Sequence, residues 1–86
     1  MLSVIVPCYN EEEAIPLFFT EMEKVKEAIN YDFEYIFIND GSEDQTLDRL
    51  RELAWQYRYV RYLSFSRNFG KEAALYAGLR AAKGDL

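Results

Sequence analysis

Phe33-Glu34-Tyr35-Ile36-Phe37-Ile38-Asn39, followed at once by Asp40-Gly41-Ser42, decides the fold. An apolar run of this length, rich in aromatic and β-branched residues and closed by an Asp-Gly turn, reads as a strand that ends sharply. Working outward, a helical segment follows from about Asp44 to Tyr57, with Leu47, Leu50, Ala54 and Tyr57 on one stripe. Upstream, Leu2 to Pro7 is a short β-branched run ended by proline, the pattern of a buried strand. Between the two strands, Ile15, Phe18, Met22, Val25 and Ile29 recur at three- and four-residue spacing. Pro16 has no N–H and must sit in a first turn, which puts this helix at about Glu13 to Ile29. Asn10, three residues before Glu13, resembles a capping arrangement.

Downstream, Val60 to Phe65 reads as a third strand and about Gly70 to Ala82 as a third helix. That helix carries Ala73, Ala74, Ala77, Gly78 and Ala81 on a face of small residues, which lets it lie close against a sheet. The order β-α-β-α-β-α implies right-handed crossovers and a parallel sheet. Eighty-six residues make one small domain at most, with a thin core. The last residues, Lys83-Gly84-Asp85-Leu86, fall where a further strand is expected to begin, so the chain reads as a truncated unit.

Composition removes several function classes. The chain has no His and one Cys, Cys8, so a His base, a His metal ligand, an internal disulfide and a Cys-rich zinc site are out. Cys8 lies in an apolar run and reads as a buried, inert thiol. Residues 1–57 hold 13 acids against 4 bases, whereas residues 58–86 hold 6 bases against 2 acids. An acidic chain with a basic last third argues against nucleic-acid binding and leaves room for a small anion such as a nucleotide diphosphate. Two oppositely charged solvated helix faces would give the same asymmetry. No run of about 18 apolar residues is present and no basic leader opens the chain, so a soluble, cytoplasmic location is expected.

Open α/β sheets bind ligands outside the C-terminal ends of their strands. Three polar clusters fall there. After the first strand, Pro7 stiffens the exit, Tyr9 can flank a nucleobase, and Asn10 and Glu11 offer hydrogen bonds at a helix start. The same residues also suit an ordinary strand end with a capped helix and a packed tyrosine. After the second strand, Asp40 can accept the imide of uracil or the amide and amine of guanine, and Gly41 permits close backbone approach. An Asp-Gly turn is the competing reading for Asp40; the favoured reading of the rest is a capped helix, with Ser42 or Asp44 as the cap and Thr46 in the first turn. After the third strand, Gly70 allows a tight turn, and Lys71 at a helix N-terminus makes an anion site, with Arg67 beside it. Neither a P-loop nor a GxGxxG fingerprint is present.

Taken in order, Val6-Pro-Cys-Tyr-Asn-Glu-Glu-Glu13, Ile38-Asn-Asp-Gly-Ser-Glu-Asp-Gln-Thr46 and Ser66-Arg-Asn-Phe-Gly-Lys-Glu-Ala-Ala74 resemble the start of family 2 glycosyltransferases. The Arg67-Asn-Phe-Gly-Lys-Glu72 segment is most similar to members acting on polyprenyl phosphates, the bactoprenol glucosyltransferases and dolichol-phosphate mannose synthases. The resemblance spans residues 1–86 and implies a Rossmann-like GT-A fold, here a three-layer fragment. It implies that Pro7, Tyr9, Glu11 and Asp40 contact the nucleoside of a UDP- or GDP-sugar. Lys71 would lie near the diphosphate, with Arg67 as a second cation. It also implies Mg or Mn on the diphosphate, a lipid-phosphate acceptor, and a parent enzyme on the cytoplasmic face of a membrane.

Two departures stand out. The acid pair at the second strand end is here Asn39-Asp40, and no Asp-x-Asp metal motif occurs in the chain. Metal ligands, acceptor site and any catalytic base are therefore expected outside it, and the chain alone is expected to be inactive. Two rival readings are a non-catalytic fragment or assembly module without ligand, and a flavodoxin-like phospho-acceptor domain. The latter would need clustered strand-end acids. The first strand, apolar and uncharged, is further expected to form an exposed sheet edge that drives homo-oligomerisation.

Overall fold

Phe33–Asp40 forms a strand (β2) in which all eight residues are buried. Only a central strand covered on both faces meets that condition. The computed structural model describes residues 1–84. In chain order the elements are β1 (Leu2–Cys8), α1 (Ala14–Ile29), β2, α2 (Thr46–Gln56), β3 (Val60–Phe65) and α3 (Lys71–Ala81). The strands form a parallel sheet in the order β1-β2-β3. This is the α/β, Rossmann-like arrangement expected from the alternation.

The period of two along β2 splits the core into two layers. Tyr35 and Phe37 face α1 and α2, where they pack with Phe33, Ile15, Phe19 and Leu50. Ile36 and Ile38 face α3 and meet Ala74. On that side the small-residue face works as read: a Cβ at Gly78 would collide with Ile5 and Ile38. Apolar packing at α3 therefore depends on closeness rather than on large side chains.

Three sequence expectations shift. β1 runs through Pro7 to Cys8 instead of stopping at the proline. The Leu2 amide donates to Asp32 O in the segment leading into β2. By alternation, the odd residues Ser3, Ile5 and Pro7 turn their backbone to the open edge, where a missing N–H costs no ladder bond. The buried face of α1 is Ile15 and Phe19, flanked by Phe18 and Met22, while Val25 and Ile29 are exposed. Beyond Met22 the face is sealed by Glu23, which accepts hydrogen bonds from the Tyr35 and Tyr59 hydroxyls and pairs with Lys26. Burial pushes the Glu23 carboxyl up, but the bonds from Tyr59, Lys26 and Tyr35 outweigh it and hold it below its usual value. Finally, no Asn10–Glu13 capping box forms: the N-cap of α1 is Glu13, with no side-chain bond.

At the opposite end of the sheet, Glu34 gathers the termini. Its carboxylate accepts from the Ser3 hydroxyl, the Lys83 and Gly84 amides and Arg61, whose guanidinium also reaches Ala81 O. The end of α3 is thus tied to β1, β2 and β3 at once.

Candidate functional site

The strand ends Cys8, Asp40 and Phe65 lie side by side, so the loops after them share one edge of the sheet. Across that edge lies an open cleft of about 210 Å³, lined by Pro7, Cys8, Tyr9, Glu11, Asp40 and Lys71. Five of the seven residues expected from sequence meet there: Pro7, Tyr9 and Glu11 from the first loop, Asp40 from β2 and Lys71 from α3. Asn10 and Arg67 do not line it. The Asn10 side chain is turned to the Glu43 amide (2.8 Å), and the Arg67 guanidinium stacks 4.8 Å above the Phe69 ring.

Each lining residue has a local reason for its place. Pro7 fixes the strand exit, and Tyr9, 44% exposed, projects where a ring can stack on it. Asp40 is almost wholly buried, and both its oxygens are held: Oδ1 accepts the Phe69 amide (2.8 Å) and Oδ2 the Gly70 amide (3.1 Å). Asn68 adds a bond from its side-chain amide to Asp40 O. Asp40 therefore clamps the loop before α3, and that clamp delivers Lys71 to the cleft. A carboxylate offers about four lone-pair sites, so an acceptor position remains for a ligand N–H. Gly41, at φ +69°, makes the clamp possible, since a Cβ there would overlap the backbone of Arg67 and Asn68. Gly70, at φ +101°, turns the chain into α3.

Cys8 is the lining residue that sequence did not mark as part of the site. Burial, and then the charge of Glu11, push its thiol up to about 12. It stays a neutral thiol and supplies a soft wall rather than a nucleophile. Only its position between Pro7 and Tyr9 could have revealed it.

Thr46 opens the first turn of α2 as expected, but the expectation that Ser42 or Asp44 is its cap needs correction. The N-cap of α2 is Gln45, without a side-chain bond. Asp44 does accept the Thr46 amide (2.9 Å), but the three side chains mainly serve the neighbouring loop. Ser42 Oγ accepts the Asn10 amide (3.0 Å), Thr46 Oγ1 the Glu11 amide (2.8 Å) and Asp44 Oδ2 the Glu12 amide (3.2 Å). Asn39 stands behind them, accepting the Ser42 amide and donating to Ser64.

The donor set does not suit a divalent cation. Among the described residues no group of three or more His, Cys, Asp or Glu side chains is placed to hold one. Glu11 and Asp40 are the carboxylates lining the cleft, fewer than such a group requires. Among the described residues no helix is long and apolar enough to cross a membrane.

A parallel three-layer sheet with a polar cleft across its strand ends defines the Rossmann-like class that includes GT-A glycosyltransferases. The chain belongs to glycosyl transferase family 2, whose model matches residues 3–86. It is 50% identical over 84 residues to a prophage bactoprenol glucosyl transferase homolog of Escherichia coli K12, covering 98% of this chain and 28% of that protein. A bactoprenol glucosyl transferase of Shigella phage SfV is likewise 50% identical over 84 residues, covering 98% of this chain and 27% of its own length. Among solved structures, a mannosyltransferase of Pyrobaculum calidifontis in complex with GDP-Man and Mn2+ superposes with a TM-score of 0.68 at 29% identity. That match covers 96% of this chain and 24% of the other. The chain thus spans about a quarter of the length of the curated relatives it matches.

Proposed function

We propose that this chain is the nucleotide-binding part of the donor site of a glycosyltransferase that moves a hexose from a UDP- or GDP-sugar to a polyprenyl phosphate. The observation that carries the reading is the convergence of Tyr9, Glu11, Asp40 and Lys71, from three strand ends, in one cleft. Tyr9 offers a stacking face, Asp40 and Glu11 accept base or ribose donors, and Lys71 at the start of α3 draws the diphosphate. The names of the bactoprenol relatives support the acceptor class, and the GDP-Man complex supports a nucleotide-sugar donor. The same neighbour supports a divalent cation, Mg or Mn, on the diphosphate. The described residues do not form its site, so its ligands would belong to other parts of the enzyme.

Titration with UDP and with GDP, followed residue by residue by NMR, tests this. Shifts should centre on Cys8, Tyr9, Glu11, Asp40 and Lys71. Tyr9→Ala should weaken binding about tenfold, the value of one lost stacking contact, while leaving the fold intact. No saturation at millimolar nucleotide, or shifts centred elsewhere, would refute the assignment.

Self-association through β1 is part of the same proposal. Among the described residues β1 pairs with β2 alone, and Leu2 to Val6 carries no charge to discourage a second strand. Pro7 protects the far half of that edge, so pairing between two copies is confined to the Ser3–Ile5 half and should be weak. Sedimentation across a concentration series should show a monomer–dimer equilibrium. A single monomeric species at hundreds of micromolar would contradict it.

A further inference from the structure

We infer that Thr46, together with Ser42 and Asp44, positions the donor cleft from outside it, by holding the segment that carries Tyr9 and Glu11. The inference rests on the nucleotide reading of the cleft. None of the three side chains lines the cleft, yet they take three consecutive amides of the first loop, those of Asn10, Glu11 and Glu12. The tie is reciprocal, because the Asn10 side chain accepts the Glu43 amide.

Thr46 is the centre of this lattice. It is fully buried; its hydroxyl accepts from the Glu11 amide and donates to Asp44 Oδ1, while Asp44 Oδ2 takes the Glu12 amide. The geometry held there is not one the loop would keep unaided. Asn10 sits at φ +52°, a left-handed conformation that asparagine tolerates better than most residues but that an unrestrained loop does not hold uniquely. The amides of Ala14 and Ile15 in the first turn of α1 both bond to Glu11 O, so the Glu11 position fixed by Thr46 also sets the start of that helix. Without the lattice, Tyr9 and Glu11 would sample many positions, and a ligand would have to order them on binding.

Thr46→Val removes the hydroxyl at nearly constant volume, Thr46→Ser restores it, and Ser42→Ala breaks a single peripheral bond. Two measurements decide the matter: amide exchange, and titration with UDP and GDP. In Thr46→Val the Glu11 and Glu12 amides should exchange at least about tenfold faster while the β2 amides stay protected. Nucleotide affinity should fall about tenfold, with Thr46→Ser close to wild type and Ser42→Ala about threefold weaker. In a Tyr9→Ala background, Thr46→Val should weaken binding much less than it does alone, since it acts partly through Tyr9. Should Thr46→Val fail to fold, Ser42→Ala carries the same tests. Unchanged affinity in both variants, or the full loss persisting without Tyr9, overturns the positioning role. Absence of nucleotide binding by the wild type overturns the donor-site reading instead, and the exchange rates then still decide whether Thr46 holds the loop.

Discussion

Replacing Asp40 by alanine is expected to destabilise the chain by about 2–4 kcal/mol and to abolish measurable nucleotide binding. Both effects come from one geometry. The two carboxylate oxygens hold the Phe69 and Gly70 amides, and the residue is only 4% exposed. Alanine leaves both donors without a partner and a small void at the end of β2. Charge-assisted bonds of this kind contribute about 1.5–3 kcal/mol each, part of which water regains at the exposed Phe69 side. The loop before α3 would then detach from the sheet and carry Lys71 out of the cleft, so the proposed diphosphate and base contacts would fail together. Asp40→Asn separates the two contributions. Its one carbonyl oxygen can keep a single amide, while its NH2 group faces the other donor. Stability should therefore rank Asp above Asn above Ala in urea titrations, with binding already lost in Asn. Wild-type stability in Asp40→Ala would show that the clamp does not hold the loop.

The clamp made by Asp40 marks the limit of what sequence alone reveals. That an Asp-Gly pair after an apolar run ends a strand follows from local chemistry. That the carboxylate also reaches amides 29 and 30 residues away follows only once β3 is laid beside β2. The positions of β2 and β3 were legible because each run is apolar, of strand length and bounded by polar residues. The end of β1 was misjudged because a proline stops a central strand but is harmless at an edge. Along α1, apolar spacing alone gave Val25 and Ile29 the same standing as Ile15. Tertiary structure separates them, since beyond Met22 the facing surface is two tyrosine hydroxyls, which call for Glu23 and Lys26 rather than another aliphatic residue.

The candidate site was legible only in part. Strand-end placement put Pro7, Tyr9, Glu11, Asp40 and Lys71 at one edge of the sheet, where they line one cleft, whereas their roles toward a ligand came from the family resemblance. Asn10 and Arg67 have the right chemistry at the right ends, but their side chains are engaged elsewhere. Ser42, Asp44 and Thr46 carry the signature of a helix cap. Their partners lie 32 to 35 residues upstream, which no local pattern can disclose.

Acidification should unfold this chain chiefly through Glu34, at the end of the sheet away from the cleft. Burial alone would raise its carboxyl, but the bonds from the Ser3 hydroxyl, the Lys83 amide and Arg61 outweigh burial and hold it at about 2. An unfolded glutamate titrates at about 4.3. The folded value is thus depressed, so its contribution is complete above the unfolded value and is lost as pH falls from about 4.3 through about 2. A gap of this size corresponds to roughly 3 kcal/mol, a large share of the stability of so small a domain. Glu23 and Asp44, both held below their usual values, add to the same trend. Arg61 is the charged side chain paired with Glu34. Glu34→Gln keeps the shape but sets an NH2 group against either the Arg61 guanidinium or the Lys83 and Gly84 amides. It should lose about 2–3 kcal/mol at neutral pH and show a flatter stability profile between pH 5 and pH 2. Urea titrations of both proteins across that range provide the comparison. Parallel profiles, offset by a constant amount, would mean that acid unfolding is set by other carboxylates and that the Glu34 tether contributes no pH dependence.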